Sequence, residues 1–149
     1  MIDVGYNKRA NFDYEISDKF EAGIVLTGSE VKSLRFNKAN MSDSYAGFGS
    51  NGELFLYNIH IPEYKMSNVR GHEPKRMRKL LLHKKELNRL LGVTQRSGCA
   101  IIPMSIYFNK SGFIKVLLGV GKGKKNIDKR ETIKEREWNR EKQRILKRL

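Results

Sequence analysis

Residues 99–120, CAIIPMSIYFNKSGFIKVLLGV, decide the fold class of this chain. Two apolar runs rich in β-branched and aromatic residues, 99–108 and 113–120, flank the turn-forming residues 109–112, and this pattern predicts a β-hairpin. Pro103 interrupts the first run and has no backbone N–H, so we expect that strand at a sheet edge or at a bulge. The stretch therefore predicts a mainly β protein.

Further strands are predicted on the N-terminal side of this hairpin. Runs 44–48 and 53–58 flank Asn51 and Gly52, and an Asn-Gly pair between apolar runs is a strong hairpin signal. Runs 12–16 and 22–26 are also apolar and of strand length. About six strands with turns roughly every 8–12 residues predict a small closed or partly closed antiparallel β-barrel.

Two short helices complete the predicted body. Thr27 and Glu30 have the spacing of a capping box, so a helix should begin there and end near Arg35. A second helix is predicted from the leucines at positions 80, 81, 82, 87, 90 and 91; it is centred on 84–91, and we expect Gly92 to end it.

The composition limits the class of protein. The 149 residues fit one domain, and 30 Lys and Arg against 16 Asp and Glu give a net charge of +14. The single cysteine, Cys99, excludes an intrachain disulfide. No apolar run approaches the roughly 20 residues of a membrane span, and the N-terminal residues do not match a signal peptide. We expect a soluble, basic, cytoplasmic protein with no membrane partner.

The charge divides the chain into a body, residues 1–121, and a basic tail, residues 122–149. The tail has 12 basic and 5 acidic residues, which is half of the net charge. The tail also has few apolar residues, and burying them cannot offset the entropy lost when the tail becomes ordered. We therefore expect a tail that is disordered until it meets a polyanion. The alternative is a solvated helix docked on the body, because Trp138, Ile145 and Leu149 share one helical face.

Catalytic and metal-binding motifs are not evident. The histidines, His60, His72 and His83, do not have zinc-site spacing. We therefore expect no enzyme, no metal and no cofactor. One alternative is a metal-dependent nuclease, because the carboxylates of Glu21, Glu30 and Asp43 could form a magnesium site.

Residues 119–125, GVGKGKK, superficially resemble a phosphate-binding loop. They lack the spacing and the Ser or Thr of that motif. We interpret them as a flexible basic hinge whose glycines let backbone amides approach phosphates.

Basic residues alternate with aromatic and amide side chains along the predicted β-rich body. The runs are 7–9, 32–35, 37–38, 75–79 and 84–85. Clustered Lys and Arg supply nucleic-acid affinity by releasing condensed counterions, and small barrels often bind RNA on one face. Five such runs and a basic tail favour an RNA-binding protein.

Six motifs, in order along the chain, resemble the SmpB family, the SsrA-binding proteins of bacterial trans-translation. They are residues 7–10 (NKRA), 20–24 (FEAGI), 28–35 (GSEVKSLR), 38–45 (KANMSDSY), 78–83 (RKLLLH), and 121–125 (GKGKK) with 128–130 (DKR). The resemblance extends from about Asn7 to the C-terminus.

The resemblance implies both fold and function. The fold would be an OB-like antiparallel barrel with two or three short helices and a basic tail that is disordered or becomes helical on binding. The function would be a non-enzymatic adaptor, a monomer on its RNA, that binds transfer-messenger RNA (tmRNA) and delivers it to stalled ribosomes. The tail would occupy the decoding centre and the empty mRNA channel of the small subunit. The alternative is a generic ribosomal or single-strand RNA-binding OB protein.

The resemblance also implies an RNA-facing surface that contains Glu21 and residues 81–83. The Glu21 carboxylate can accept hydrogen bonds from base edges, and Leu81 can contact an unstacked base. The alternative is that Leu81 is core and Glu21 only a surface charge. The full set of RNA-binding candidates is Asn7, Lys8, Arg9, Glu21, Lys32, Arg35, Lys38, Asn40, Arg76, Arg78, Lys79, Leu81, His83 and Lys84.

In the tail, pairs spaced i, i+3 such as Glu131 and Lys134 can support a helix modestly. The ribosome-binding candidates are Lys122, Lys124, Lys125, Asp128, Lys129, Arg130, Trp138, Ile145 and Leu146. Many relatives have a ring before the DKR motif, where this chain has Ile127, so a stacking role at that position stays open.

Overall fold

The computed structural model describes residues 2–64, 71–124 and 126–148. The strands are β1 (Ile2–Tyr6), β2 (Tyr14–Ile24), β3 (Tyr45–Phe48), β4 (Leu54–Tyr57), β5 (Arg78–Leu81), β6 (Ala100–Phe108) and β7 (Ile114–Gly123). The helices are α1 (Ala10–Asp13), α2 (Gly28–Phe36), α3 (Lys84–Ser97) and α4 (Asn126–Arg148).

The strands form one antiparallel sheet that closes on itself. The pairing order is β1-β6-β3-β4-β5-β2-β7, and β7 pairs back to β6, so six strands make a ring and β1 extends the outer edge of β6. The prediction of a small, mainly β, OB-like barrel is confirmed.

Both predicted hairpins are present, and both turns contain a glycine in the left-handed region. Gly52 between β3 and β4 has φ +80°, and Gly112 between β6 and β7 has φ +84°. Pro103 lies where the register of β6 against β7 shifts, which confirms the predicted bulge. A bulge tolerates a residue that cannot donate to the ladder.

The N-terminal strands differ from the prediction. Runs 12–16 and 22–26 were expected as two strands, but Tyr14–Ile24 is one strand that pairs with β7 along its length. Phe12 belongs instead to α1, whose Ala10 packs against the outer face of β6. The apolar pattern broke at residues 17–19, which are polar and lie where the register of β2 against β7 shifts between Ile16 and Asp18.

Helix α2 has the predicted capping box. The Thr27 hydroxyl accepts a hydrogen bond from the Glu30 backbone N–H, and the Glu30 carboxylate accepts one from the Thr27 backbone N–H at 2.9 Å. Helix α3 begins near the predicted position, but the expectation that Gly92 ends it is wrong. The helix continues to Ser97 and ends at Gly98, which has φ +62°.

The interpretation of residues 119–125 as a flexible hinge is wrong for 119–123, because β7 extends to Gly123, and residue 125 lies outside the described residues. A Cβ at Gly121 would lie 2.4 Å from the Glu15 backbone oxygen, and one at Gly119 would lie 2.8 Å from the Met104 sulfur. These glycines let β2 and β6 pack closely against β7. The backbone amides of β7 form hydrogen bonds within the sheet rather than facing phosphates.

The tail forms helix α4, which touches the body at its first turns. The Lys129 ammonium lies 3.4 Å from the Asp13 carboxylate, and the cations of Lys129 and Arg136 lie 5.9 and 5.7 Å from the centre of the Phe12 ring. Farther along, Trp138 and Ile145 are more than half exposed. Among the described residues, the predicted pair of Glu131 and Lys134 is not closed as an ion pair. Ordering of the tail on binding stays a prediction.

No helix in the described parts of the chain is both long enough and apolar enough to span a bilayer.

Candidate nucleic-acid interface

One groove on the outside of the barrel brings together three predicted RNA-binding residues, Glu21, Leu81 and His83. Its volume is about 490 Å³. We call it the β5 groove. The other residues that line it are Gly23, Leu82, Glu86 and Lys115.

Strand register explains the shape of the β5 groove. Gly23 of β2 pairs with Leu81 of β5 on one side and with Lys115 of β7 on the other. Since Gly23 has no side chain, the floor is low between the Leu81 and Lys115 side chains, and a Cβ there would come within 3.3 Å of the Leu81 Cβ. Leu81 is 49% exposed, so its alternative placement in the core is wrong.

The Glu21 carboxylate is fixed in place by a tyrosine. Strand β7 lies between β2 and β6, and the Tyr107 hydroxyl on β6 donates a hydrogen bond across it to Glu21. Burial, together with the Glu21 carboxylate, raises the pKa of Tyr107 to about 12, so the phenol stays a donor at neutral pH. The bond occupies one carboxylate oxygen, and the other oxygen can accept from a ligand.

The chemistry of the β5 groove suits unpaired bases better than a continuous phosphate backbone. Two carboxylates, Glu21 and Glu86, line it with one ammonium, Lys115. Carboxylates accept hydrogen bonds from base amino and imino groups, and the exposed Leu81 side chain offers apolar contact. The Glu86 carboxylate also accepts from the His83 backbone N–H at 3.3 Å, which orders the start of α3.

A second groove, of about 490 Å³, contains Lys8, Arg9, Lys38 and Asn40. We call it the β1 groove, because it follows the end of β1. Lys8, Arg9 and Lys38 are exposed and line one small surface, and of the three Arg9 is also paired with the Asp13 carboxylate at 3.2 Å. This arrangement suits phosphates.

Other predicted cations lie outside both grooves. Lys32 and Arg35 are exposed on α2, and Lys84 is exposed at the start of α3. Arg76 and Lys79 already have acidic partners: Arg76 lies 2.5 Å from Glu30, and Lys79 lies 3.1 Å from Glu53 with 41% of its side chain exposed.

Two predicted RNA contacts are corrected by the structure. Arg78 is fully buried: its guanidinium donates to the Glu30 carboxylate and, at 2.8 Å, to the Ile59 carbonyl. Asn7 is 6% exposed and donates to the Pro103 carbonyl at 3.0 Å. A basic or amide side chain in a motif does not reveal that a partner distant in sequence will bury it.

The tail candidates are spread along one helix and the strand before it. Lys122 lies in β7 rather than in the tail helix, and the Lys124 backbone N–H donates to the Asp13 carbonyl at 2.8 Å. The hydrogen bond from Arg9, against partial burial and with help from Lys129, holds the pKa of Asp13 below its usual value. Arg130, Trp138, Ile145 and Leu146 are exposed on α4. Lys125 lies outside the described residues, as do the side chains of Ile127 and Asp128.

Sequence reasoning missed three residues of the β5 groove and its support: Gly23, Tyr107 and Lys115. Both Tyr107 and Lys115 lie in runs that were correctly predicted as a hairpin, and their register pairs them directly. The alternation of side chains along the two strands of that hairpin was the sequence signal that could have placed both residues on the outer face of the sheet.

The three carboxylates of the alternative magnesium site, Glu21, Glu30 and Asp43, do not lie together. Glu30 is buried against two arginines, Glu21 is bonded to Tyr107, and Asp43 lies in an exposed loop. Within the described residues, no group of three or more His, Cys, Asp or Glu could hold a metal ion.

The closed barrel, its net charge of +14 and its two grooves define a small, basic β-barrel protein with surfaces suited to nucleic acid. The SmpB protein family matches residues 4–148 of the sequence. The chain therefore belongs to the SmpB family.

Individual relatives agree with this assignment. The SsrA-binding protein of Wolbachia pipientis wMel is 53% identical over 144 residues, which cover 97% of this chain and 96% of the relative. The SsrA-binding protein of Rhizobium meliloti (strain 1021) is 56% identical over 144 residues, with coverage of 97% and 90%. A solved structure described as "tmRNA-SmpB: a journey to the center of the bacterial ribosome" has a TM-score of 0.66 at 50% identity and covers 81% of this chain and 84% of its own.

Proposed function

We propose that this protein is a cytoplasmic, non-enzymatic adaptor that binds tmRNA and delivers it to stalled ribosomes for trans-translation. Two findings support the proposal: membership of the SmpB family, and similarity to a chain solved in a tmRNA–SmpB structure. The observation that carries it is the convergence of Glu21, Leu81 and His83 in the β5 groove.

In this proposal the β5 groove recognises unpaired bases of the tRNA-like domain. Leu81 provides the apolar contact, and the Glu21 carboxylate, oriented by Tyr107, accepts hydrogen bonds from a base edge. A carboxylate among phosphates is unfavourable for generic binding, so the same group that helps recognition disfavours non-specific contact.

Exposed cations around the barrel supply the affinity that does not depend on sequence. Lys8, Arg9 and Lys38 of the β1 groove, with Lys32, Arg35 and Lys84 elsewhere, are the candidates. Each phosphate that they neutralise releases counterions and makes binding weaker as salt rises.

The tail acts on the ribosome in this proposal. Among the described side chains, the contacts of helix α4 with the body are those of Lys129 and Arg136 with Phe12 and Asp13, so the rest of the helix is available to lie along an RNA-lined channel. Its exposed Trp138, Ile145 and Leu146 can contact bases and sugars, while the basic residues face phosphates.

The test is a comparison of two RNAs of equal length, one the tRNA-like domain of tmRNA and one unrelated, in direct binding titrations with the full chain. We expect clearly tighter binding to the tRNA-like domain. Equal affinity for the two RNAs would favour the generic RNA-binding alternative.

A further inference from the structure

We infer that a cleft beside Tyr45 holds a single unpaired nucleotide of RNA, with its base stacked on the Tyr45 ring and its phosphate in the β1 groove. The inference rests on the proposed function only in taking RNA as the ligand. The cleft has a volume of about 610 Å³, which lies within the roughly 300–1,000 Å³ typical of small-molecule sites. We call it the Tyr45 cleft.

Tyr45 has the position of a stacking platform. It is 51% exposed at the start of β3 and is stacked against Tyr57, its direct cross-strand partner, with ring centroids 4.9 Å apart and an angle of 18°. Tyr45 lines the cleft and Tyr57 does not, so Tyr57 covers one face of the Tyr45 ring without filling the cleft. A rigid ring with one covered face and one open face is suited to stacking on a base.

An ion pair lies among the residues that line the cleft. The Arg9 guanidinium lies 3.2 Å from the Asp13 carboxylate, which is also close to the Lys129 ammonium. Asp13 is therefore neutralised by two cations, and the wall does not repel an anionic ligand on its account.

The Tyr45 cleft is continuous with the β1 groove. Asn7, Arg9 and Ser42 line both, and Lys8 and Lys38 line the groove side. A base in the cleft therefore places its own phosphate beside exposed cations. An uncharged apolar ligand would not interact with these cations. The positive charge of the β1 groove complements a phosphate, so the ligand we infer is a nucleotide.

The rim of the cleft carries a group suited to reading a base edge. Asp43 is exposed and, among the described residues, has no hydrogen-bond or ion-pair partner. Its loop is ordered nearby: the Ser42 backbone N–H donates to the Asn40 side chain at 3.0 Å, and the Ser44 hydroxyl donates to the Met41 carbonyl at 2.7 Å. An Asp43 carboxylate in this position prefers bases with amino groups.

The experiment uses the full chain and a single-stranded hexaribonucleotide that contains 2-aminopurine, whose fluorescence is quenched by stacking. We expect Tyr45→Leu to weaken binding by about 5- to 100-fold and to abolish the quenching, and Tyr45→Phe to keep both. Phe113→Leu, which removes an aromatic ring that is 68% exposed at the tip of the β6–β7 hairpin, is the control and should bind as the unaltered chain does.

The outcomes separate this inference from the proposed function. Equal loss in Tyr45→Leu and Phe113→Leu, or quenching that persists in Tyr45→Leu, overturns the cleft as the site. Crosslinking of a 4-thiouridine hexamer to the unaltered chain needs no substitution, and a crosslink that maps away from Tyr45 and Asp43 also overturns it. If binding depends on Tyr45 but shows no preference for the tRNA-like domain, the inference stands and the proposed function is rejected. If binding prefers the tRNA-like domain but does not depend on Tyr45, only the inference is rejected.

Discussion

The Tyr107 hydroxyl donates a hydrogen bond to the Glu21 carboxylate from two strands away, across β7. Tyr107 is 5% exposed, whereas Glu21 is on the surface, so a packed ring orients an otherwise mobile acid. We predict that Tyr107→Phe lowers affinity for the tRNA-like domain about three- to tenfold, since a hydrogen bond to a charged group is lost. Binding titrations measure the loss, and Tyr64→Phe serves as the control.

The same pair has a signature in alkaline unfolding. The folded pKa of Tyr107, about 12, lies above the ordinary value of 10.0, so the pair stabilises the fold fully below pH 10 and progressively less as pH rises toward 12. The difference in unfolding free energy between the unaltered chain and Tyr107→Phe should be constant from pH 7 to 9 and shrink above pH 10. A difference that grows above pH 10 would contradict this assignment.

The buried pair of Glu30 and Arg78 predicts a strong stability effect without a direct RNA effect. Both side chains are inaccessible, and Arg76 adds a second cation at 2.5 Å from the Glu30 carboxylate. Arg78→Leu leaves one oxygen of the buried Glu30 carboxylate and the carbonyls of Ile59 and Pro74 without their donor, so it should cost about 3–5 kcal/mol of unfolding free energy even with Arg76 in place. Denaturant titration measures this loss. If Arg78→Leu instead folds normally but loses RNA affinity, Arg78 is a contact after all.

Glu30 also predicts acid sensitivity. Burial raises its pKa, but hydrogen bonds from the Thr27 backbone and from the two arginines outweigh burial and leave the pKa below its ordinary value. The stability that comes from ionised Glu30 is thus present above about pH 4.5 and is lost as pH falls through the folded value. In Glu30→Gln, which starts less stable, unfolding free energy should fall less steeply between pH 5 and 3. An equal slope in both chains would show that other acids dominate.

Two glycines near the end of β7 form a matched pair. A Cβ at Gly121 would meet the Glu15 backbone oxygen at 2.4 Å, whereas one at Gly123 would meet nothing within 4 Å. Gly121→Ala should therefore lower unfolding free energy by about 1–3 kcal/mol, and Gly123→Ala should change it by less than about 0.5 kcal/mol. Thermal or denaturant unfolding measures both. Equal losses of unfolding free energy in the two variants would support the interpretation of residues 119–125 as a flexible hinge.

Removal of residues 126–149 should separate the two proposed roles. The shortened chain keeps β7, in which Lys122 and Gly123 pair with Glu15 and Tyr14, so the barrel should stay folded and bind isolated tmRNA within about twofold of the full chain. Rescue of stalled ribosomes in a reconstituted translation assay should be lost. Loss of most RNA affinity in the shortened chain would count against the division between barrel and tail.

Features encoded by neighbouring residues were predictable from the sequence. The capping box of Thr27 and Glu30 and the turns at Gly52 and Gly112 each depend on a few consecutive residues. Strand β5 was missed because Leu80 and Leu81 were counted with the leucines of α3 as one helical pattern, and because two cations, Arg78 and Lys79, begin the run. Its pairing to β2 and β4, which lie far away in the chain, overrides that local preference.

The functional surface was only partly predictable for the same reason. Arg78 and Asn7 looked like RNA contacts, but partners 48 and 96 residues away bury them. The grouping of Glu21 with Leu81 came from family resemblance, because no local rule brings together residues on different strands. Gly23 and Lys115 join them through strand register, which is set only when the barrel closes.

The most direct test of the account is the affinity of the full chain for the tRNA-like domain after Leu81→Ala. Leu81 is 49% exposed in the β5 groove, and Ile2→Ala removes a similar aliphatic side chain that is 67% exposed on β1. We predict that Leu81→Ala weakens binding about tenfold without changing unfolding free energy, since the buried apolar contact is made only in the complex, and that Ile2→Ala binds normally. Unchanged affinity in Leu81→Ala, or an equal loss in Ile2→Ala, would show that the β5 groove is not where the RNA is recognised.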